Sequence, residues 1–311
     1  MTVAAGSRGP SSEAAGPAVT VVTATYNSSA TLPLALRSLL RQGCEDFEAL
    51  VVGDACTDDS EQVVAALGDP RLRWVNLPRN SGSQAGPNNE GLRLARGEYV
   101  AYLGHDDLWF PWHLEGLLEL ARGSGADLVH AMTAVLTPSG IAGVIGPPPR
   151  GLTYGDHFVP PSSWLHRRHG AAAWRDARTL GTGVDMDYLR RLHRAGGRIA
   201  CLEQLSVLKF PSAKWRMYDL AGSPPQIPYL RGLEEDATAL QSRVLLAVAT
   251  ACARHSDARE SPRDLARRLV RTSSRELLDL YGRERWPVSV LWRWYFQRLR
   301  RRLRVRRGLD S

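Results

Sequence analysis

Short β-branched runs alternate with stretches in which apolar residues recur every three or four positions. Residues 19–23 read Val-Thr-Val-Val-Thr, a run suited to a buried parallel strand. Over 30–42, Leu32, Leu36, Leu39 and Leu40 fall at helical spacing. The same logic predicts a strand at 49–52, a helix at 60–67 and a strand at 72–76. A polar, glycine-containing loop at 78–87 follows, then a helix at 88–95 and a strand at 99–103. Strands alternating with helices predict an α/β fold with a parallel sheet, whose ligands lie outside the carboxyl ends of the strands. Beyond this the order loosens. Residues 143–163 are rich in Pro and Gly and read as a long loop. A helix is expected at 184–195, ended by Gly196 and Gly197. Further helices are expected at 233–254, 262–281 and 287–307, the last two opened by proline. No internal repeat is visible.

With 311 residues and 43% hydrophobic content, the chain can bury one sizeable core and carry an appendage. Three regions are expected: an Ala/Gly/Ser/Pro-rich disordered segment at 1–17, an α/β domain at 18–230 and a helical extension at 231–311. Four scattered cysteines, none in a CxxC pair, point to free thiols in a reducing compartment and away from a zinc site. No apolar run reaches the roughly 18–20 residues of a membrane span, and no signal peptide is seen, so a cytoplasmic location is expected.

The net charge of +8 is uneven, because residues 286–307 hold eight arginines and no acid. There Trp292, Phe296, Leu299 and Leu303 form one apolar stripe. A basic helix with aromatic anchors suits an anionic membrane surface, and the expectation is peripheral attachment at the inner face of the cell membrane. A solvated tail or a partner-binding helix remains open as an alternative. No nucleic-acid recognition motif appears, so no nucleic-acid partner is expected.

Four polar segments stand at or beside the ends of predicted strands. They are Thr23-Ala24-Thr25-Tyr26-Asn27, the stretch from Gly53 through Asp54 to Ser60, the stretch from Asn80 through Gly86 and Asn89 to Gly91, and Leu103-Gly104-His105-Asp106-Asp107. A fifth, Gly183-Val184-Asp185-Met186-Asp187-Tyr188-Leu189, opens a predicted helix. Taken in order and spacing, the set resembles the inverting family 2 glycosyltransferases of the GT-A type. Their pattern runs from a TYN strand end through a DDGSTDDS-like turn and an RN-x-G helix to DxDD, with GED-x-D-L further on. The first four segments are matched over roughly 18–135.

The resemblance implies a GT-A fold: a mixed, Rossmann-like sheet flanked by helices. It implies an enzyme that moves a sugar from a nucleoside diphosphate sugar to a glycan, lipid-linked or small-molecule acceptor. Asp106 would hold Mg²⁺ or Mn²⁺, a hard cation suited to oxygen ligands and to the charge of a departing diphosphate. Asp54 would bind the base, with Ala24, Thr25 and Tyr26 around it. Gly86 and Asn89 would lie near the ribose and diphosphate, and His105 would contact the donor or remain a turn histidine. Asp185 would be the general base, with Asp187 the alternative. Read from the residues alone, Asp54, Asp106 and Asp185 also suit turn and cap positions. Trp109, Trp112 and Trp164 suit either sugar stacking or the core.

Five positions depart from the family pattern. Gly53 and Gly104 replace aspartates, Ala55 replaces a glycine, Asn88 replaces an arginine, and Val184 replaces the Glu of GED. The lost arginine points to Lys209, Lys214 or Arg216 as substitute cations. The lost Glu predicts a less elevated pKa for Asp185. Two rivals follow: a degenerate, glycosyltransferase-like binding or scaffold protein, and a sugar-nucleotide nucleotidyltransferase. The second lacks the basic, glycine-rich loop expected after the first strand.

Overall fold

The structure is a computed structural model that describes residues 16–137, 140–210 and 223–256. Residues 1–15, Lys214 and Arg216, the expected helices at 262–281 and 287–307 and the basic stretch at 286–307 lie outside the described residues. Strands β1 (Val19–Thr25), β2 (Phe47–Gly53), β3 (Leu72–Asn76) and β4 (Tyr99–Tyr102) are joined through helices α1 (Leu32–Leu39), α2 (Ser60–Ala65) and α3 (Ala85–Leu94). Then follow β5 (Leu108–Trp109), α4 (His113–Ser124), β6 (Leu128–Thr137), β7 (Gly140–Ile145), β8 (Trp164–Arg167), α5 (Val184–Arg194), β9 (Ile199–Lys209) and α6 (Ile227–Ser256).

The strands form one sheet in the order β3-β2-β1-β4-β8-β6-β9-β5, with β7 paired to β6. Its first half, β3-β2-β1-β4, is parallel, as the periodicity predicts. The second half is mixed, as the GT-A resemblance implies and unlike the parallel sheet that periodicity alone predicts. β8 is antiparallel to both β4 and β6, β9 is parallel to β6, and β5 is antiparallel to β9. β8 is reached without a helical crossover, so nothing requires it to run parallel. The stretch read as a loop at 143–163 contributes the end of β7 and a 3₁₀ turn, Pro161–Ser163.

Helices cover both faces. Leu32, Leu36 and Leu39 of α1 and Leu114 and Leu117 of α4 pack on Val19, Val21 and Val51. On the other face α3 and α5 meet Val22, Val52, Tyr102 and Trp164. Gly91 lets α3 lie close to β1, since a Cβ there would stand 2.4 Å from the Val22 side chain. α4 ends in the left-handed Gly125 (φ +61°), the usual glycine stop. At the far end of the sheet, Leu230, Leu233 and Leu240 of α6 pack on Leu108, Phe110 and Phe210. The expected boundary at 230/231 therefore falls inside a helix whose first turns belong to this core. α6 kinks at Asp236, where Oδ1 accepts the Ala239 N–H at 2.9 Å and caps the second segment. No helix among the described residues is long and apolar enough to cross a membrane.

Three buried histidines brace the core. Trp174 Nε1–H donates to the Tyr102 hydroxyl at 3.1 Å, and that hydroxyl lies 2.9 Å from His166 Nε2. His166 Nδ1 in turn lies 2.8 Å from the Arg167 carbonyl, which can only accept, so the ring is neutral with its proton on Nδ1. His130 pairs with Tyr154 and His113 with Ser206. Burial pushes His113 down to about 3 and His130 and His166 to about 4. A folded pKa below the unfolded value near 6.5 means full stability above that value, lost as the pH falls from 6.5 toward 3–4. Urea denaturation at pH 7 and pH 5 should show a loss on the order of 2 kcal/mol per buried histidine. An unchanged unfolding free energy over that interval would contradict the assignment.

Candidate active site

The parallel half of the sheet brings three strand ends into register. Thr25 stands opposite Gly53, and Gly53 opposite Asn76. The loops leaving β1, β2 and β3 therefore meet and bond. Thr57 N–H donates to Asn27 Oδ1 at 2.8 Å, and Ser29 N–H to Asp58 Oδ2 at 2.9 Å. Asn76 clamps the turn after β2 with its whole amide: Oδ1 accepts from Cys56 N–H and Nδ2 donates to the Cys56 carbonyl. Asp58 Oδ1 accepts the Ser60 N–H at 3.2 Å, a local Asx-type turn just before α2, whose N-cap residue is Asp59.

Asp54 is 4% exposed. Its Oδ1 accepts the Ser81 N–H at 2.8 Å, and its carbonyl accepts from Asn80 Nδ2 at 3.0 Å, so it anchors the loop after β3. Gly86 packs on Ser81, whose hydroxyl would lie 2.4 Å from a Cβ at that position. Tyr26 projects from β1's end, 52% exposed. His105 Nδ1 reaches the Ala24 carbonyl at 3.3 Å, which ties the loop after β4 to that after β1. The end of β1 (Ala24, Thr25), the loops that hold Tyr26, Asp54, His105 and Asp106, and the first turn of α3 (Gly86) thus meet in one region.

Asn89 is differently employed. Its Nδ2 donates to the Trp174 carbonyl and its Oδ1 accepts the Trp174 N–H, both at 2.8 Å. The amide holds the 174 segment onto α3. Asn88, at the family's arginine position, is buried.

Asp106 is half-buried, whereas Asp107 is fully buried. The Asp107 carboxylate accepts from the Ser162 hydroxyl, from Lys209 Nζ at 3.2 Å and from the Phe210 N–H at 3.0 Å. Burial pushes its carboxyl above the ordinary range, against the pull of Lys209. The expectation that Lys209 serves a diphosphate is corrected here, because its ammonium is ion-paired to Asp107.

Asp185 sits in the first turn of α5, 4% exposed. Gly183 leaves room for its carboxylate, whose Oδ1 accepts the Met186 N–H at 2.7 Å. Burial raises its pKa, opposed by that hydrogen bond and by the Lys209 and Arg190 cations. The elevation comes from desolvation, not from an acidic neighbour, so the loss of the family's Glu at 184 does not remove it. Asp187 is committed to Arg191 (2.8 Å) and Arg175 (3.6 Å).

Trp109 and Trp164 lie wholly in the core, and Trp112 stacks on Phe110. Ser162 and Gln226 went unrecognised in the sequence. The first lies in a Pro/Gly-rich stretch and the second carries no motif.

Two departures from the family pattern have packing causes. A Cβ on Gly53 would lie 2.6 Å from Asn76 Oδ1 and 2.8 Å from the Trp74 ring. One on Gly104 would lie 2.8 Å from Asp107 Oδ2 and 3.1 Å from the Ser162 hydroxyl. Neighbouring side chains occupy both places.

The family model for Glycosyl transferase family 2 matches residues 20–135, the span that carries these loops up to Asp107. Over that span the chain is similar to glycosyl transferase family 2. Among family relatives it resembles the succinoglycan biosynthesis protein ExoO of Rhizobium meliloti (strain 1021), with 40% identity over 112 residues, 36% of this chain and 32% of that protein. It is 31% identical over 114 residues to the poly(ribitol-phosphate) beta-N-acetylglucosaminyltransferase TarP of Staphylococcus aureus (strain N315), covering 36% and 35% of the two. The chain thus spans about a third of the length of these curated relatives. The GT-A fold is seen in the likeness to S. aureus TarS 1-349 in complex with UDP-GlcNAc. The TM-score is 0.52 at 21% identity, over 62% of this chain and 58% of that one.

Within this family 2 fold, Ala55 holds the left-handed conformation (φ +61°) at the family's glycine position. Ala55→Gly should stabilise the protein by about 0.5–1 kcal/mol, the strain released outweighing the added chain entropy. Gly53→Asp should destabilise it by about 1–3 kcal/mol through overpacking, and Trp74→Ala in the same chain should recover part of that loss. Thermal melts of the four variants decide both points, and additive effects at 53 and 74 would contradict the packing explanation.

Proposed function

We propose that the chain is an inverting glycosyltransferase that transfers a sugar from a nucleoside diphosphate sugar to an acceptor hydroxyl in glycan or glycoconjugate biosynthesis. The observation that carries the reading is the placement of two carboxylates around one cation. Lys209, ion-paired with Asp107 beside Asp106, lies within electrostatic reach of Asp185. In this reading a donor-side acid, Asp106, and an acceptor-side acid, Asp185, share one end of the sheet, where an open α/β fold builds its site.

In this reading the base and ribose lie among Ala24, Thr25, Tyr26 and Asp54, with Gly86 beside them. The Asn89 amide acts through Trp174, holding the wall of the site. Asp185 accepts the proton of the acceptor hydroxyl as its oxygen bonds to the anomeric carbon. The bond from that carbon to the diphosphate breaks, and the electron pair leaves with the diphosphate. Inversion follows from attack on the face opposite the leaving group. Burial suits Asp185 to the role, since a raised pKa makes it a stronger base than an exposed aspartate.

Among the described residues no group of three His, Cys, Asp or Glu side chains forms a metal cage. A half-buried Asp106 next to His105 fits a cation that completes its shell with diphosphate oxygens. Mg²⁺ or Mn²⁺ held there would neutralise charge on the departing diphosphate. Gly53 and Gly104 favour this over a degenerate scaffold, because both positions are packed by other residues and not eroded. The relatives include UDP-Glc:alpha-D-GlcNAc-diphosphoundecaprenol beta-1,3-glucosyltransferase WfgD of Escherichia coli, so a lipid-linked acceptor is one chemistry to test. The arginine-rich sequence at 286–307 suits docking to an anionic membrane at its cytoplasmic face.

The pH profile tests the base. Under saturating donor, turnover should rise through an acid limb placed above the usual aspartate pKa of about 3.9, because the ionised carboxylate is the active form. Asp185→Asn should lower kcat by about 10²–10⁴-fold and abolish the limb. An unchanged limb in that variant would remove Asp185 from the role. For the tail, deletion of the residues after Arg285 should release the protein from vesicles containing anionic lipid, and continued co-sedimentation would sink the docking idea.

A further inference from the structure

The described residues on either side of 211–222 both return to the loop after β4. Phe210 donates its N–H to Asp107 Oδ1 at 3.0 Å. Gln226, whose side chain is completely buried, donates from Nε2 to the main-chain carbonyl of Asp106 at 2.9 Å. It stands immediately before α6, and its own carbonyl accepts the Leu230 N–H at 2.8 Å. Leu230 and Leu233 pack on Leu108 and Phe110, just beyond Asp107, and Tyr229 meets Phe210 edge-on at 5.4 Å. On the outer side of the helix, Glu234 forms an ion pair with Arg37 of α1. The first turns of α6 are therefore fixed to the sheet and to α1 independently of any ligand, and they present one amide to the backbone of Asp106.

From this geometry we propose that Gln226 is a positioning residue of the donor site. Its amide fixes the main chain of Asp106, and with it the direction of the carboxylate, so α6 is part of the site and not an appendage to it. The inference rests on the reading of Asp106 as the residue that meets a cation and a diphosphate. The Asp107 carboxylate holds the same loop from the other side, through Ser162, Lys209 and Phe210. Ser162 also accepts the Gly104 N–H at 3.0 Å. With Gln226 absent, the loop keeps these anchors and the fold persists. The carbonyl of Asp106 loses its buried partner, and the peptide turns to find another. Groups that orient a metal-binding side chain are worth about 10–100-fold in metal affinity.

The test uses the full chain with Gln226→Met, which keeps the length of the side chain and removes its donor. Hydrogen exchange without ligand should quicken at least tenfold over 104–109 and stay unchanged in β2, with the melting temperature within a few degrees of wild type. Mn²⁺ affinity in the presence of a nucleotide-sugar that binds the wild type should fall about tenfold. Gln226→Leu, which also offers no donor, should show the same pattern and serves if the methionine variant does not fold. Exchange over 104–109 that matches wild type, or that quickens equally throughout the protein, would overturn the proposal. A wild-type protein that binds no nucleotide-sugar would instead count against the glycosyltransferase reading, while the exchange measurement still decides the role of Gln226.

Discussion

One buried carboxylate organises the end of the sheet where the site lies. Asp107 has no exposure and joins two separate parts of the chain: the turn before β8 through Ser162, and the end of β9 through the Lys209 side chain and the Phe210 backbone. A buried charge is tolerated only when paired and hydrogen-bonded, so these contacts are obligatory for this conformation. They hold the loop of Asp106, the preceding residue. They also bring the Lys209 cation within reach of Asp185, forty amino acids beyond β7. In the proposed reading, the donor-side and acceptor-side acids both lie near this one ion pair.

The same contacts account for the unusual sequence of the loop. A glycine at 104 is required by the approach of Asp107 and Ser162, and a glycine at 53 by Trp74 and Asn76. Each replaces an acid of the family pattern, and each is matched by a neighbour that fills the space. Asp185 follows a parallel course. It lacks the family's acidic neighbour yet remains elevated, because burial and not repulsion sets its proton affinity.

The parallel half of the fold was legible because its strands are short β-branched runs and its helices carry leucines at a regular period. The strand at 72–76 was read to the residue. The second half was not legible in the same way. β6 mixes His130, Met132 and Thr133 into its run, and β9 shifts register twice against it, which breaks any simple alternation. In the site, the carboxylates were legible from their motifs, but their partners were not. Ser162, Trp174 and Gln226 act through hydrogen bonds between segments 55 to 120 residues apart in sequence, apart from any recurring spacing. Lys209 stood out in the sequence for its charge as one of three candidate substitute cations, since sequence alone does not reveal that a buried aspartate already holds it.

The central claim is that Asp106 at the strand ends meets a nucleoside diphosphate together with a divalent cation. Titration calorimetry with UDP and GDP, with and without Mn²⁺, in wild type and Asp106→Ala tests it most directly. The account predicts that one nucleotide binds the wild type more tightly by at least tenfold with Mn²⁺, and that Asp106→Ala binds it with no such gain. An equal Mn²⁺ gain in both proteins would contradict the assignment of Asp106, and no binding of either nucleotide to the wild type would contradict the account of the site.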